Sequence, residues 1–256
     1  MGLLEGKKGV IFGVANEKSI AWAIARALHG EGMELAFTYA GEVLESRVRP
    51  LADSIGSKII LPCDVTDDAQ IESVFKAIGA EWGSLDAMVH AIAFAKKEEL
   101  KGEYYNTTRD GFKLAMDVSA YSLVALSKAA LPLMEGRDSS IVTLSYFGSE
   151  KVITNYNVMG VAKAALEASV RYLAADLGPK KVRINTISAG PVKTLAAMGI
   201  SGFKSILEAV ESKSPLKRNI TQEDVAKTAL YLLSGLSSGV TGELVHVDAG
   251  YNIMGN

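Results

Sequence analysis

Short apolar runs alternate with amphipathic stretches from one end of this chain to the other, and that rhythm constrains its fold more than any single residue does. The apolar runs fall at residues 9–12, 34–38, 58–61, 87–91, 140–144, 183–188 and 244–247 and predict strands. Between them, helical periodicity predicts helices over 20–30, 42–55, 68–82, 109–133, 155–177 and 221–234. Thr66-Asp67-Asp68 and Thr221-Gln222-Glu223-Asp224 place capping hydroxyls and acids at two of the helix starts. Strand and helix in strict alternation build βαβ units, whose parallel strands are covered on both faces and so read as continuous apolar runs. The expected class is therefore α/β: a doubly wound parallel sheet of about seven strands. One segment breaks the rhythm. Residues 191–215 are too long for a tight connection and carry Leu195, Ala196, Ala197, Met198, Ile200, Phe203, Ile206 and Leu207. Such a connection suits an active-site lid or a substrate wall, and equally a pair of short packed helices.

Composition narrows the function class. The 256 residues are 48% hydrophobic and include 24 glycines, enough for one domain spanning 1–256 with a sizeable core. The 27 basic and 29 acidic residues leave a formal charge of −2 with no basic block, which argues against nucleic-acid or polybasic membrane binding. No apolar run approaches bilayer-spanning length, so no membrane span is expected. Cys63 has no internal disulfide partner, and Met1-Gly2-Leu3-Leu4-Glu5-Gly6 shows neither a secretory nor a myristoylation pattern, pointing to a reducing cytoplasm. His29, His90 and His246 form no spaced ligand set, so no metal is expected.

The first predicted strand runs into Gly13-Val14-Ala15-Asn16-Glu17-Lys18-Ser19-Ile20-Ala21. Glycine permits a tight turn there, and a helix beginning at the Ser19 hydroxyl offers N–H groups and a partial positive charge to a pyrophosphate. The full Gly-x-Gly-x-x-Gly pattern is absent, and a plain turn with a serine cap reads the same way; the position at the first βα crossing favours a dinucleotide. After the third strand, Asp64-Val65 suits an adenine contact or, equally, a helix cap. Thr38-Tyr39-Ala40-Gly41-Glu42 has no arginine for a ribose 2′-phosphate, which favours NADH, although Arg47 or Arg49 could fold back.

Tyr156 and Lys163 stand seven residues apart in a helical stretch, and Tyr146 precedes Tyr156 by ten. Two turns of helix put the phenol and the ammonium on one face, about 10 Å apart along the axis. A phenol near a cation and facing a cleft donates protons or stabilises charge; two exposed residues on a wet helix face share the spacing.

Gly13-x5-Ser19-x-Ala21, Tyr156-x-x-Met159-x-x-x-Lys163, the run from Arg183 to Pro191 and the run from Thr241 to Gly250 together resemble the short-chain dehydrogenase/reductase superfamily over nearly the whole chain. The opened glycine motif, Met159 between tyrosine and lysine, and His90-Ala91-Ile92-Ala93-Phe94-Ala95 after the fourth strand are similar to its divergent branch of bacterial NADH-dependent enoyl-acyl-carrier-protein reductases. The resemblance implies a Rossmann-like fold. It implies that Gly13, Ser19, Ile20, Asp64, Val65, Ile92, Lys163, Val192 and Thr194 line NADH. Ala95, Tyr146, Tyr156, Met159, Ala196 and Phe203 would then meet the substrate, with 191–207 as lid and Tyr146, Tyr156 and Lys163 as catalytic residues. It further implies an acyl-carrier-protein-linked enoyl substrate and a homotetramer packed through the helices at 109–133 and 155–177.

Hydride delivery to the β-carbon of an enoyl thioester leaves negative charge on the thioester oxygen. Tyr156 is expected to donate to that oxygen and Lys163 to hold the nicotinamide ribose. Tyr146 would serve the acyl chain or act as a second polar group. Lys193, Lys204, Lys213, Lys217 and Arg218 surround the lid and suit an acidic carrier protein or solvent alike. Two other functions compete. A carbonyl or 3-ketoacyl reductase of the same superfamily would need a serine about thirteen residues before the tyrosine, where this chain has Thr143, with Ser145 eleven before. A dinucleotide-binding regulator without turnover would need neither Tyr156 nor Lys163.

Overall fold

The computed structural model describes residues 2–194, 197 and 202–255. Its strands are β1 (Lys8–Phe12), β2 (Glu34–Tyr39), β3 (Ile59–Pro62), β4 (Ala87–His90), β5 (Ser139–Ser145), β6 (Val182–Ala189) and β7 (Leu244–Val247). They form one seven-stranded sheet in the order β3-β2-β1-β4-β5-β6-β7, with every neighbouring pair parallel. The expected class and strand count hold, and each predicted strand is matched to within about a residue at either end.

Consecutive residues of β1 show why the strands read as unbroken apolar runs. Ile11 packs on one face with Phe37, Val89 and Ile187, while Val10 and Phe12 pack on the other with Met88, Ile141 and Ile184. The first face is covered by α1 (Ile20–Gly30) and α8 (Gln222–Leu233), through Ile24, Leu28 and Leu232. Helices α3 (Asp68–Trp82), α5 (Ser122–Met134) and α6 (Asn157–Leu177) cover the second through Ile78, Leu126 and Leu166. A sheet buried on both sides has no polar face to alternate.

Both capping predictions are met. Asp67 accepts from the Ala69 and Gln70 amides, and Thr221 and Asp224 form a reciprocal capping box at the start of α8. The helix expected from residue 155 starts instead at Asn157, because Asn155 has φ of +63° and cannot continue a right-handed turn. The helix expected over 109–133 is α4 (Arg109–Met116) joined to α5 through a five-residue π-turn, Asp117–Tyr121. Within these 26 residues an 18-residue window reaches a mean hydropathy of 1.3, long and apolar enough by length and composition to cross a bilayer, although no unbroken apolar run does. Half of that stretch is buried within the fold, where Leu123, Leu126, Ala130 and Met134 belong to the core. The irregular segment at 191–215 contains α7 (Phe203–Lys213); a further helix, α2 (Glu42–Ser54), lies between β2 and β3.

Strand order reverses between β1 and β4, since the chain leaves β1 towards β2 on one side and later returns to add β4 on the other. A crevice opens at such a switch point, beyond the carboxyl ends of the strands.

Candidate active site

The turn after β1 is shaped for close backbone approach. Gly13 has φ of +99°, and a Cβ built there would lie 2.1 Å from the Ala91 carbonyl oxygen at the end of β4. Only glycine fits. Ser19 precedes α1, but its hydroxyl turns back and accepts from the Ala15 and Asn16 amides, both at 3.0 Å. The serine-cap reading is thereby corrected: the first turn of α1 has no side-chain cap. The Trp22 and Ala23 amides donate to the Ser19 carbonyl, which leaves the first two N–H groups, of Ile20 and Ala21, for another acceptor such as a dinucleotide phosphate.

Asp64 is exposed and closes a small turn, accepting from the Thr66 amide at 3.0 Å and the Thr66 hydroxyl at 2.8 Å. The alternative of a helix cap falls to Asp67. Val65 is buried beside it, in the core cluster that Ile92 joins from the rim. At the end of β2, both Nε and Nη2 of Arg49 donate to Glu45, Nη2 at 2.5 Å. The Arg49 guanidinium holds the Glu45 carboxyl below its usual range. Arg49 therefore does not stand free beside Tyr39.

Beyond β4, β5 and β6 lies a cavity of about 940 Å³. Its walls include Ile20, Ile92, Lys163, Val192 and Thr194 from the expected cofactor set, while Gly13, Ser19, Asp64 and Val65 lie outside the lining. Among the expected substrate residues Ala95, Tyr146, Tyr156, Met159 and Phe203 line it too, Phe203 and Ile206 reaching in from α7. Ala196, like Leu195, Met198 and Ile200 of the proposed lid, lies outside the described residues. A cavity with one apolar wall at a switch point has the size and chemistry of a cofactor-plus-substrate site.

Tyr156 occupies the residue before α6, flanked by Asn155 (φ +63°) and Asn157 (φ +30°), both left-handed. Asn157 anchors this turn by donating to the Gly102 carbonyl at 3.0 Å. Strained backbone on both sides of one tyrosine marks a position held by its surroundings. The rings of Tyr146 and Tyr156 meet edge-on, 5.1 Å between centroids at 75°. Burial pushes the Tyr146 phenol up to about 12, with Tyr251 adding to the effect. It pushes Tyr156 up further, with Tyr146 and Glu167 contributing. Both phenols are thus neutral hydrogen donors throughout the working pH range.

Lys163 is buried and donates to the Leu144 carbonyl at 2.6 Å. Burial lowers its ammonium to about 8, against the opposing pull of Glu167. Glu167 itself was not singled out by the sequence reading. Its signal was there: Val158, Met159, Ala162, Lys163, Leu166, Glu167 and Val170 make one buried stripe at helical spacing. The Ser145 hydroxyl donates to Glu167, and Thr143 is bound at 2.8 Å to His90 Nδ1. Ser122 donates to the Val118 carbonyl and so accepts from His90 Nε2 at 2.8 Å. His90 is thus a core histidine that ties β4 to β5 and α5; burial, with Lys163 nearby, drops it to about 3. Among the described residues no cluster of His, Cys, Asp and Glu could hold a metal, and Cys63 is buried with its thiol raised to about 12 by burial.

Comparison with known proteins matches residues 13–252 to the family model described as enoyl-(acyl carrier protein) reductase. The enoyl-[acyl-carrier-protein] reductase [NADH] FabI of Bacillus subtilis is 57% identical over 253 residues, covering 98% of this chain and 97% of its own length. The crystal structure of enoyl-[acyl-carrier-protein] reductase (NADH) from Aquifex aeolicus superposes with a TM-score of 0.97 at 56% identity, with full coverage of both chains. The Anaplasma phagocytophilum enoyl-(acyl-carrier-protein) reductase, solved in complex with NAD, superposes at 0.94 and 53% identity, covering 100% of this chain and 95% of its own.

Proposed function

This chain belongs to the enoyl-(acyl carrier protein) reductase family, and on that premise we propose how its residues divide the work. It reduces trans-2-enoyl-acyl-carrier-protein thioesters with NADH, the last step of each fatty-acid elongation cycle. The observation that carries the assignment of roles is that Tyr146, Tyr156, Met159 and Lys163 line one cavity, opposite the apolar face of Phe203 and Ile206.

The residues present fit the dinucleotide. The uncapped start of α1 and the Gly13 turn would hold the pyrophosphate. Asp64 and Val65 would flank the adenine, and Ile20, Ile92, Val192 and Thr194 the rest of the cofactor. Bound there, NADH supplies the hydride to the β-carbon of the enoyl group. Tyr156 donates a hydrogen bond to the thioester oxygen as negative charge develops on it. Its raised pKa keeps the proton on the phenol until that charge appears. Lys163 spends one of its three N–H groups on the Leu144 carbonyl and keeps two for the nicotinamide ribose hydroxyls. Tyr146 packs its ring on Tyr156 and sets its angle. Ala95, Met159, Ala196 and Phe203 would contact the acyl chain, and 191–215, with α7, would close over it and exclude water.

We infer that residues 1–256 work as one reductase domain in the cytoplasm and as a homotetramer. Supporting the tetramer, Tyr121 and Tyr172 stand 54% and 79% exposed on the merged 109–134 helix and on α6. For the acidic carrier protein Lys204 is 92% exposed and only loosely paired with Glu208 at 3.8 Å, whereas Arg218 is held by Asp224 at 2.7 Å and Lys217 by the Ser212 carbonyl. Charge reversal at Lys204 should raise KM for carrier-linked substrate and leave a coenzyme A thioester untouched.

A carbonyl-reducing role is disfavoured by the hydroxyls it would need, since Thr143 is engaged by His90 and Ser145 by Glu167. The experiment is direct. Purified protein should oxidise NADH with crotonyl thioester, and oxidation with acetoacetyl thioester alone would overturn the reading.

A further inference from the structure

The buried acid one turn beyond Lys163 has no part in the chemistry above, yet it is tied to the strand that bears the Lys163 acceptor. Leu144 and Ser145 are adjacent at the end of β5. Lys163 donates to the backbone of the first at 2.6 Å, and Glu167 accepts from the side chain of the second. Ser145, Lys163 and Glu167 are each at least nine-tenths buried. Two rungs, four residues apart on α6, therefore join the helix to the strand end that leads into Tyr146. A carboxylate at this depth is costly unless a cation or donors compensate it. The Ser145 hydroxyl donates to it, and the Lys163 ammonium, one helical turn back on α6, attracts it.

We propose that Glu167 is a positioning residue: with Ser145 it locks α6 against the end of β5, and its charge keeps Lys163 an ammonium aimed at the nicotinamide ribose. The proposal rests on the assignment of Lys163 to that ribose. Other ionisable groups around Lys163 are Tyr156 just before α6, Tyr146 after β5 and His90 on β4. His90 is neutral above about 3 and the phenols below about 12, so Lys163 is the group among them that changes charge between pH 7 and 10.

The test is the pH dependence of NADH affinity, followed by fluorescence titration from pH 6.5 to 10 on the full-length protein, with melting curves alongside. Affinity of the parent should fall on the basic side as Lys163 loses its proton. Glu167→Gln keeps an acceptor for Ser145 but removes the charge. Its basic limb should move down by roughly one pH unit, the size of an opposite charge at close range, and at pH 7.5 KM for NADH should rise more than kcat falls. Ser145→Ala keeps the carboxylate, so its limb should stay near the parent's while affinity weakens at every pH. A Glu167→Gln profile superimposed on the parent's, or one lowered equally at all pH values, would overturn the proposal. Should Glu167→Gln not fold, a Ser145→Ala limb displaced as far as one pH unit would overturn it as well. Lys163→Met separates the two levels of inference: loss of NADH binding upholds the ribose assignment, and unchanged binding removes the premise and the proposal together.

Discussion

Tyr146 meets the ring of Tyr156 edge-on at 5.1 Å, so the donor of the reaction is oriented by a second phenol rather than by a charged side chain. Tyr156→Phe keeps this ring contact and removes only the hydroxyl. Turnover with crotonyl thioester should fall by roughly 10²-fold, as for loss of an oxyanion donor, with NADH affinity little changed. Tyr146→Phe should cost far less. Full turnover of Tyr156→Phe would remove the tyrosine from its role.

Gly148 lies directly beneath the same ring. A Cβ there would stand 2.5 Å from Tyr156 Cδ1, a distance that forces the ring to move. Gly148→Ala should therefore lower kcat at least about tenfold, since misplacement of a catalytic group by about 1 Å costs on the order of 10²-fold. Wild-type kcat in Gly148→Ala would show that the ring has room to yield.

Lys163 trades stability for function. Its folded pKa of about 8 lies below the ordinary 10.5, so below about pH 8 the fold carries the full cost of a buried ammonium. Between 8 and 10.5 the unfolded chain binds more protons than the folded one, and stability rises with pH as that cost is relieved. Lys163→Met should raise stability at pH 7 by about 1–3 kcal/mol, less about 1 kcal/mol for the lost Leu144 hydrogen bond. The gain should shrink as pH approaches 10.5. Denaturant titrations at pH 7 and pH 10 check both signs; a variant equally destabilised at both would contradict the argument.

Glu45 bears on the choice of cofactor. By engaging Arg49 at 2.5 Å beside Tyr39, it neutralises a guanidinium at the end of β2, where a ribose 2′-phosphate would lie. Glu45→Gln should improve kcat/KM for NADPH relative to NADH by about two- to fivefold, the scale of an exposed charge contact, and added salt should erase the gain. An unchanged ratio would place the selectivity elsewhere.

His90 sets an acid limit. With a folded pKa near 3 and an ordinary value of 6.5, the unfolded chain binds the extra proton between those values. Stability attributable to this group is therefore undiminished above about 6.5 and falls as pH drops towards 3, by on the order of a few kcal/mol. Its imidazole resonances should stay constant from pH 8 to pH 5. A titration midpoint near 6.5 in the folded protein would refute the buried neutral state.

Much of this was legible in one dimension. Strand and helix positions came through because apolar periodicity is local, and the buried stripe from Val158 to Val170 repeats every turn whatever it packs on. The seven-residue spacing of Tyr156 and Lys163 was equally local, and both residues line the cavity. The start of α6 was not, since it depends on a left-handed Asn155 that helix propensity does not reveal. Nor was the part played by Ser19, which reads as a cap but bonds to the turn behind it. The bilayer-length hydropathy within the merged helix at 109–134 was hidden for a related reason. Its apolar residues are spread around turns rather than gathered in a run, and a π-turn extends it.

The sequence by itself determined a parallel α/β sheet, a glycine turn at the first βα crossing and a tyrosine seven residues before a lysine, all of which follow from spacing along the chain. Tertiary structure decided which groups share the cavity and what state they are in. It brought Leu144 and Ser145 against Lys163 and Glu167 and set Tyr146 edge-on to Tyr156. It also gave the helix cap to Asp67 rather than Asp64. Those outcomes depend on contacts between distant segments and on the removal of water around them, and neither is a property of any short stretch of sequence.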